Sequence, residues 1–271
     1  TCTGHADLCE DQNGNWWMVC LGVRKFPHVL MHNLGRETFL APVVWDENGW
    51  PVVNGDGVIR EEIPADLPAE VLSGEGSAGS FSDDFTSENL RMDWTFLRNP
   101  DFTHFNSGKG RLKIDGGSQT LNDFQPDFVG VRQSEFCIEA KTAVNAELKS
   151  ESAKAGMSVY YSKDNHYDLY IEQKNGIRYV ALSKKIMDIE AVVSRIPVPG
   201  DEPVALEVCA DEKEYRFYVE HENGKLYVGC GTTAGVSTEA TKTMTFTGVF
   251  IGVYAQNTTA DFSYFSINTQ G

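Results

Sequence analysis

Few side chains in this sequence stand at spacings that chemistry needs. Six cysteines, Cys2, Cys9, Cys20, Cys137, Cys209 and Cys230, include no C-x-x-C pair, which argues against a zinc site. Several sit inside apolar strand patterns, as in Phe136-Cys137-Ile138, where a thiol behaves as a small hydrophobe. His28 and His32 are four residues apart, but Pro27 and the short interval disfavour the helix that would turn them toward one metal. Gly108-Lys109-Gly110 is too short to cradle a phosphate, and no nucleophile elbow or basic patch is present. Aromatic side chains are the remaining resource. Trp94, Tyr160, Tyr161, Tyr167 and Tyr170 could stack on sugar rings as a platform; the alternative is ordinary packing between strands.

The elements that must position these groups read as strands throughout. Ala6–Glu10 and Trp16–Val23 flank the turn cluster Asp11-Gln12-Asn13-Gly14-Asn15, a hairpin signal. Leu40–Trp45 and Trp50–Val53 flank a second Asn-Gly turn at Asn48-Gly49. Four short strands joined by tight turns amount to one propeller blade, which needs neighbours to cover both of its faces. Residues 73–80 have the Ser-Gly-rich composition of a linker and divide residues 1–72 from 81–271. Beyond the linker, Tyr167, Leu169 and Ile171 alternate with Asp168, Tyr170 and Glu172, and Tyr215, Phe217 and Val219 alternate with Arg216, Tyr218 and Glu220. Roughly a dozen strands at this spacing predict an antiparallel β-sandwich. No persuasive helix longer than two turns is present.

Charge narrows the partners. A net charge of −16 disfavours nucleic acid and anionic membrane surfaces, which require clustered Lys and Arg, and leaves a neutral sugar admissible. No apolar run approaches the roughly 20 residues of a membrane-spanning helix. Scattered cysteines fit a reducing compartment, so the expectation is a cytoplasmic rather than a secreted protein. The chain opens on Thr1-Cys2-Thr3-Gly4 with strand pattern almost at once, which reads as a chain cut from a longer one.

Four motifs in series then carry a resemblance: Gly4-His5-Ala6-Asp7-Leu8, Asp11 to Trp17, Leu34-Gly35-Arg36-Glu37-Thr38 and Gly49-Trp50-Pro51-Val52-Val53. Together they resemble the end of a glycoside hydrolase family 43 catalytic domain, as found in β-xylosidases and α-L-arabinofuranosidases. The second block resembles the concanavalin-like sandwich of one branch of that family, through Phe81-Ser82-Asp83-Asp84-Phe85, Phe246-Thr247-Gly248-Val249-Phe250-Ile251-Gly252 and Ala260-Asp261-Phe262-Ser263-Tyr264-Phe265. The fold this implies is all-β: the last blade of a five-bladed propeller followed by a concanavalin-like sandwich. The activity it implies is removal of terminal β-1,4-xylose or α-L-arabinofuranose from xylan-derived oligosaccharides, with inversion. The family's base Asp, orienting Asp and acid Glu lie in earlier blades, so no catalytic residue is assigned in this chain.

By the same resemblance, Arg36 reaches a sugar subsite, His5 lies near the propeller axis at the floor of the active site, and Phe246 crosses the domain interface to wall off one side of the pocket. The competing reading of Arg36 is a surface residue in a salt bridge. Asp84 and Asp261 stand at the two ends of the sandwich sequence, where first and last strands often pair; two carboxylates meeting there could hold a structural calcium. No cofactor is expected for the chemistry. Expected partners are a xylo- or arabinoxylo-oligosaccharide, the upstream propeller part or a chain carrying it, and a second copy of the chain. The rival function is a sugar-binding module or a scaffold.

Overall fold

A computed structural model describes residues 1–64, 79–221, 224–241 and 245–269. The linker expected at 73–80 lies outside the described residues except for Gly79 and Ser80.

Residues 1–64 hold a four-stranded antiparallel meander, β1 (Gly4–Glu10), β2 (Trp16–Gly22), β3 (Glu37–Trp45) and β4 (Pro51–Val53). Both expected Asn-Gly turns are there, and in each an aspartate closes the loop. Asp11 accepts the backbone N–H groups of Asn13 and Asn15 at 2.8 and 3.0 Å, and Asp46 accepts those of Asn48 and Trp50 at 2.9 and 2.8 Å. Gly14 and Gly49 supply the left-handed residues, with φ +83° and +79°. Trp17, Cys20, Ala41 and Val43 are buried, yet Leu40, Val44 and Trp45 are exposed and Trp50 is 70% exposed. This chain therefore covers only part of the blade.

The second unit contains β5 (Phe81–Asp83), β6 (Thr95–Phe96), β7 (Phe105–Gly108), β8 (Arg111–Gly116), β9 (Phe128–Arg132) and β10 (Ile138–Ala146). It continues with β11 (Lys154–Ser162), β12 (Asn165–Lys174), β13 (Ile177–Ile186), β14 (Ile189–Pro197) and β15 (Val204–Ala210). The remaining strands are β16 (Glu214–His221), β17 (Gly224–Thr232), β18 (Phe250–Gln256) and β19 (Thr258–Thr269). One sheet runs β17-β16-β15-β10-β19-β8-β7 with β5 also on β19; the other runs β14-β13-β12-β11-β18-β9-β6. Alternation sets the inner faces. In β10, Ile138, Ala140, Thr142 and Val144 point inward, and they meet Leu169, Ile171, Met157 and Phe217 in one apolar core. Among the described residues the helices are 3₁₀ turns of three or four residues.

The central strands of the second sheet, β11 and β12, are buried on both faces. Tyr160, Tyr170 and Tyr254 lie on its outer side in a smaller cluster with Phe128 and Leu121, against which Leu97 and Val192 pack. Trp94, Tyr161 and Tyr167 belong to the main core. The aromatic platform weighed from the sequence is thus not available: Tyr160 is 3% and Tyr170 0% exposed. Loop segments cover what alternation alone marks as an outer face.

Candidate functional site

The loop between β2 and β3 leaves its own sheet and docks on the sandwich. Arg24 bridges Glu37 and Glu135 at 2.8 and 2.9 Å, joining blade to sandwich. Phe26 is fully buried with its ring 5.4 Å from that of Phe136. His32 Nδ1 lies 2.9 Å from Glu239, while Thr238 donates its backbone N–H to the His32 carbonyl at 3.1 Å. Deeper in, Asn33 Nδ2 donates to the Tyr215 hydroxyl at 2.7 Å, and that hydroxyl donates to Gln133 Oε1 at 2.6 Å. Burial pushes the Tyr215 hydroxyl far above its ordinary pKa, so it stays a neutral donor.

This docking places Arg36. The Val249 N–H donates to the Asn33 carbonyl at 2.8 Å, and the Arg36 N–H donates to the Phe246 carbonyl at 2.9 Å. Residues 33–36 and 246–249 therefore run against each other as a short ladder. The approach requires two glycines, both with positive φ, +75° at Gly35 and +77° at Gly248. A Cβ on Gly35 would stand 2.5 Å from the Gly248 nitrogen, and one on Gly248 would stand 2.3 Å from the Leu34 carbonyl oxygen. From β9, Arg132 Nη2 donates to the carbonyls of Leu34 and Arg36 at 2.6 and 2.7 Å, which fixes the turn from a third side.

At this joint the Arg36 guanidinium lies 3.6 Å above the centre of the Phe246 ring. Phe246 remains 43% exposed. Among the described residues no carboxylate pairs with Arg36; the arginine ion pairs of this loop belong to Arg24. The salt-bridge reading of Arg36 thus falls on its neighbour, and the Arg36 fork keeps donors to offer. A planar cation flat on an aromatic ring suits recognition of hydroxyls or carboxylates at a pocket rim, not proton transfer, because a guanidinium does not release its proton.

His5 is exposed, with φ +47°, beside the register shift of β1 between Gly4 and Asp7. Gly4 pairs with Leu21, and Leu21 with Thr38, so His5 and Arg36 stand at the same end of the blade sheet, with β2 between their strands. Among the described residues no hydrogen bond or ring contact joins His5 to Arg36 or Phe246.

Asp84 and Asp261 are not brought together. Asp83 pairs with Phe265, whereas Asp261 pairs with Lys113 and Asn145, so the two carboxylates are offset by three strand positions, about 10 Å. Asp84 is exposed, and bonds from the Thr86 N–H and hydroxyl hold its pKa below the usual value. Asp261 lies 3.6 Å from Arg111. The expected calcium finds no shared site on this pair. Among the described residues Glu139, Glu207 and Cys209 do converge, but Lys141 and Lys225 already occupy the Glu207 carboxylate.

Sequence reasoning missed Arg132, Gly35 and Gly248 as supports. The two glycines had a signal, since each lies one or two residues from a site residue inside a quoted motif. Arg132 had none, because nothing local connects it to residues about a hundred positions away.

The comparisons agree with this geometry. The family described as "Beta xylosidase C-terminal Concanavalin A-like domain" matches residues 82–268, and "Glycosyl hydrolases family 43" matches residues 1–51. A non-reducing end alpha-L-arabinofuranosidase of Bacteroides ovatus is 40% identical over 275 residues, covering 97% of this chain and 50% of that protein. A xylosidase/arabinosidase of Butyrivibrio fibrisolvens is 31% identical, covering 97% of this chain and 52% of that protein. Among solved structures, a Bacteroides ovatus protein titled "Xyloglucan PUL GH43B" superposes with TM-score 0.91 at 36% identity, over 99% of this chain and 54% of that one. A xylan beta-1,4-xylosidase from Bacillus halodurans gives TM-score 0.88 at 26% identity, over 98% and 53%. The chain spans about half the length of the curated relatives it matches. With a four-stranded blade locked to a concanavalin-like sandwich through Arg36 and Phe246, this chain belongs to glycoside hydrolase family 43.

Proposed function

We propose that this chain supplies the pocket rim and the accessory sandwich of an exo-acting, inverting glycosidase. Its substrates are terminal β-1,4-xylose or α-L-arabinofuranose residues of xylan-derived oligosaccharides. The observation that carries this reading is the Arg36 guanidinium, unpaired among the described residues and seated on the half-exposed ring of Phe246 at the interdomain joint. In this role Arg36 donates to sugar hydroxyls. Phe246 closes one side of the pocket with an apolar wall, so that only a chain end enters. His5 contributes from β1, at the same end of the blade sheet. Inversion needs a protonated carboxyl and an ionised one about 6.5–9.5 Å apart on opposite faces of the sugar, with a water between. That pair comes from the propeller part that packs on the exposed face of the blade, around Trp50 and Val44. The names of the relatives favour neither sugar over the other.

The test is hydrolysis of aryl β-xylosides and aryl α-L-arabinofuranosides by this chain alone and joined to an upstream family 43 propeller portion. Turnover is expected only in the joined form. Robust turnover by the chain alone overturns the division of labour.

A further inference from the structure

Phe246 sits in the connection from β17 to β18, with its ring half-exposed. Packing alone is therefore too slight to fix it, and a cation–π contact at an exposed site adds little. Its position depends on how the chain is held on either side. Downstream, the blade supplies the anchor. The Arg36 N–H donates to the Phe246 carbonyl, and the Val249 N–H donates to the Asn33 carbonyl. Upstream, the anchor is a tyrosine of the sandwich core. Tyr161, near the end of β11, is buried, and its hydroxyl bonds to Thr245 Oγ1 at 2.5 Å and to Thr238 Oγ1.

Both threonines belong to the connection that carries Phe246. Thr238 opens a 3₁₀ turn, Thr238–Ala240, and Thr245 immediately precedes Phe246. One buried hydroxyl thus draws two points of the same segment together. Beyond Thr238 stands the docked loop of the blade. His32 Nε2 is 3.1 Å from Thr238 Oγ1, and His32 Nδ1 is 2.9 Å from Glu239. With the Nδ1 proton given to that carboxylate, a neutral ring offers Nε2 as an acceptor. The series then runs from Thr245 to Tyr161 to Thr238 to His32, each hydroxyl donating to the next. Burial pushes the Tyr161 hydroxyl above its ordinary pKa, so it keeps its proton.

We propose that Tyr161 is a positioning residue for the sugar pocket: its hydroxyl anchors the chain just before Phe246 and so keeps that ring beneath the Arg36 guanidinium. The part of Phe246 as a pocket wall rests on the functional reading above, whereas the anchoring rests on the geometry of this chain alone. Tyr161 itself stays in the core, away from the sugar. Loss of its hydroxyl leaves the ring packed but frees the upstream side of Phe246.

The anchor is tested in the full chain with para-fluorophenylalanine placed at position 246, which gives one fluorine NMR signal. Arg36→Ala marks where that signal lies once the cation is gone. Tyr161→Phe and Thr245→Val should each move it toward that position. Thr142→Val removes a buried hydroxyl bond to the Tyr264 carbonyl in the other sheet. It should lower Tm yet leave the signal in place. In the joined enzyme, Tyr161→Phe should raise KM for an aryl xyloside about five- to tenfold at nearly unchanged kcat. It should add nothing to Phe246→Ala, because it acts through that ring. A fluorine signal unmoved in either anchor variant overturns the proposal, as does an additive loss in the double variant. Absence of hydrolysis by the unsubstituted joined enzyme falls on the glycosidase reading alone, and the fluorine signal still decides the anchor.

Discussion

The Arg36 guanidinium lies 3.6 Å over the Phe246 ring while the Arg36 N–H donates to the Phe246 carbonyl at 2.9 Å. One residue from each structural unit is thus tied to the other through both backbone and side chain. In the joined enzyme, Arg36→Ala is expected to lower kcat/KM about 10- to 100-fold, the value of a charged hydrogen bond to substrate. Phe246→Ala should cost about tenfold, mainly in KM, with partial recovery in Phe246→Trp. Steady-state kinetics on an aryl xyloside check both.

Arg132 grips the Leu34 and Arg36 carbonyls from β9 without being placed at the sugar itself. Arg132→Lys loses the fork that reaches two acceptors at once. The expected result is a roughly five- to tenfold rise in KM with little change in kcat. An equal fall in both kcat and kcat/KM would point to direct participation instead.

Gly35→Ala is expected to destabilise the chain by about 3 kcal/mol or more, since the new Cβ meets fixed backbone at 2.5 Å in a left-handed conformation. Gly49→Ala provides the control. It has the same sign of φ but nothing within 4 Å, so its cost should be only about 1 kcal/mol. Urea denaturation of the two variants measures the difference.

Tyr215→Phe removes the hydroxyl between Asn33 and Gln133 and strands both amides in a buried site. A loss of about 1–3 kcal/mol is expected in the same assay.

His104 gives the pH dependence. Its bond to Asp127 at 2.8 Å, helped by the nearby Asp101 and Asp115 charges, raises its pKa above the unfolded value of 6.5. Protonation is therefore favoured by folding. The contribution is complete below about pH 6.5 and fades as pH rises through the raised folded value. The Tm gap between the unsubstituted chain and His104→Gln should be larger at about pH 5.5 than at about pH 8.5. A gap that grows with pH would refute the assignment.

The sequence disclosed the strands and both Asn-Gly turns, because those signals are local and periodic. It did not disclose which faces stay wet. Strand β12 alternates apolar and polar residues, yet His166, Asp168 and Tyr170 are all buried, because residues such as Leu97, Leu121 and Val192, remote in sequence, close over them. The pairing of Arg36 with Phe246 spans about two hundred residues and was accessible only through the resemblance, since no propensity or spacing argument reaches that far. Asp84 and Asp261 show the opposite case. Adjacent strands were anticipated, but register decides whether two carboxylates meet, and register depends on the whole ladder.

The docked loop from Arg24 to Arg36 makes the covalent order of the chain differ from its mechanical order. It belongs to the blade by connectivity and to the sandwich by packing, with Phe26 and Leu34 wholly enclosed. A protease cut within residues 65–78 would leave two fragments still clasped by that loop. They should migrate as a single species on a native gel and part only when the chain unfolds.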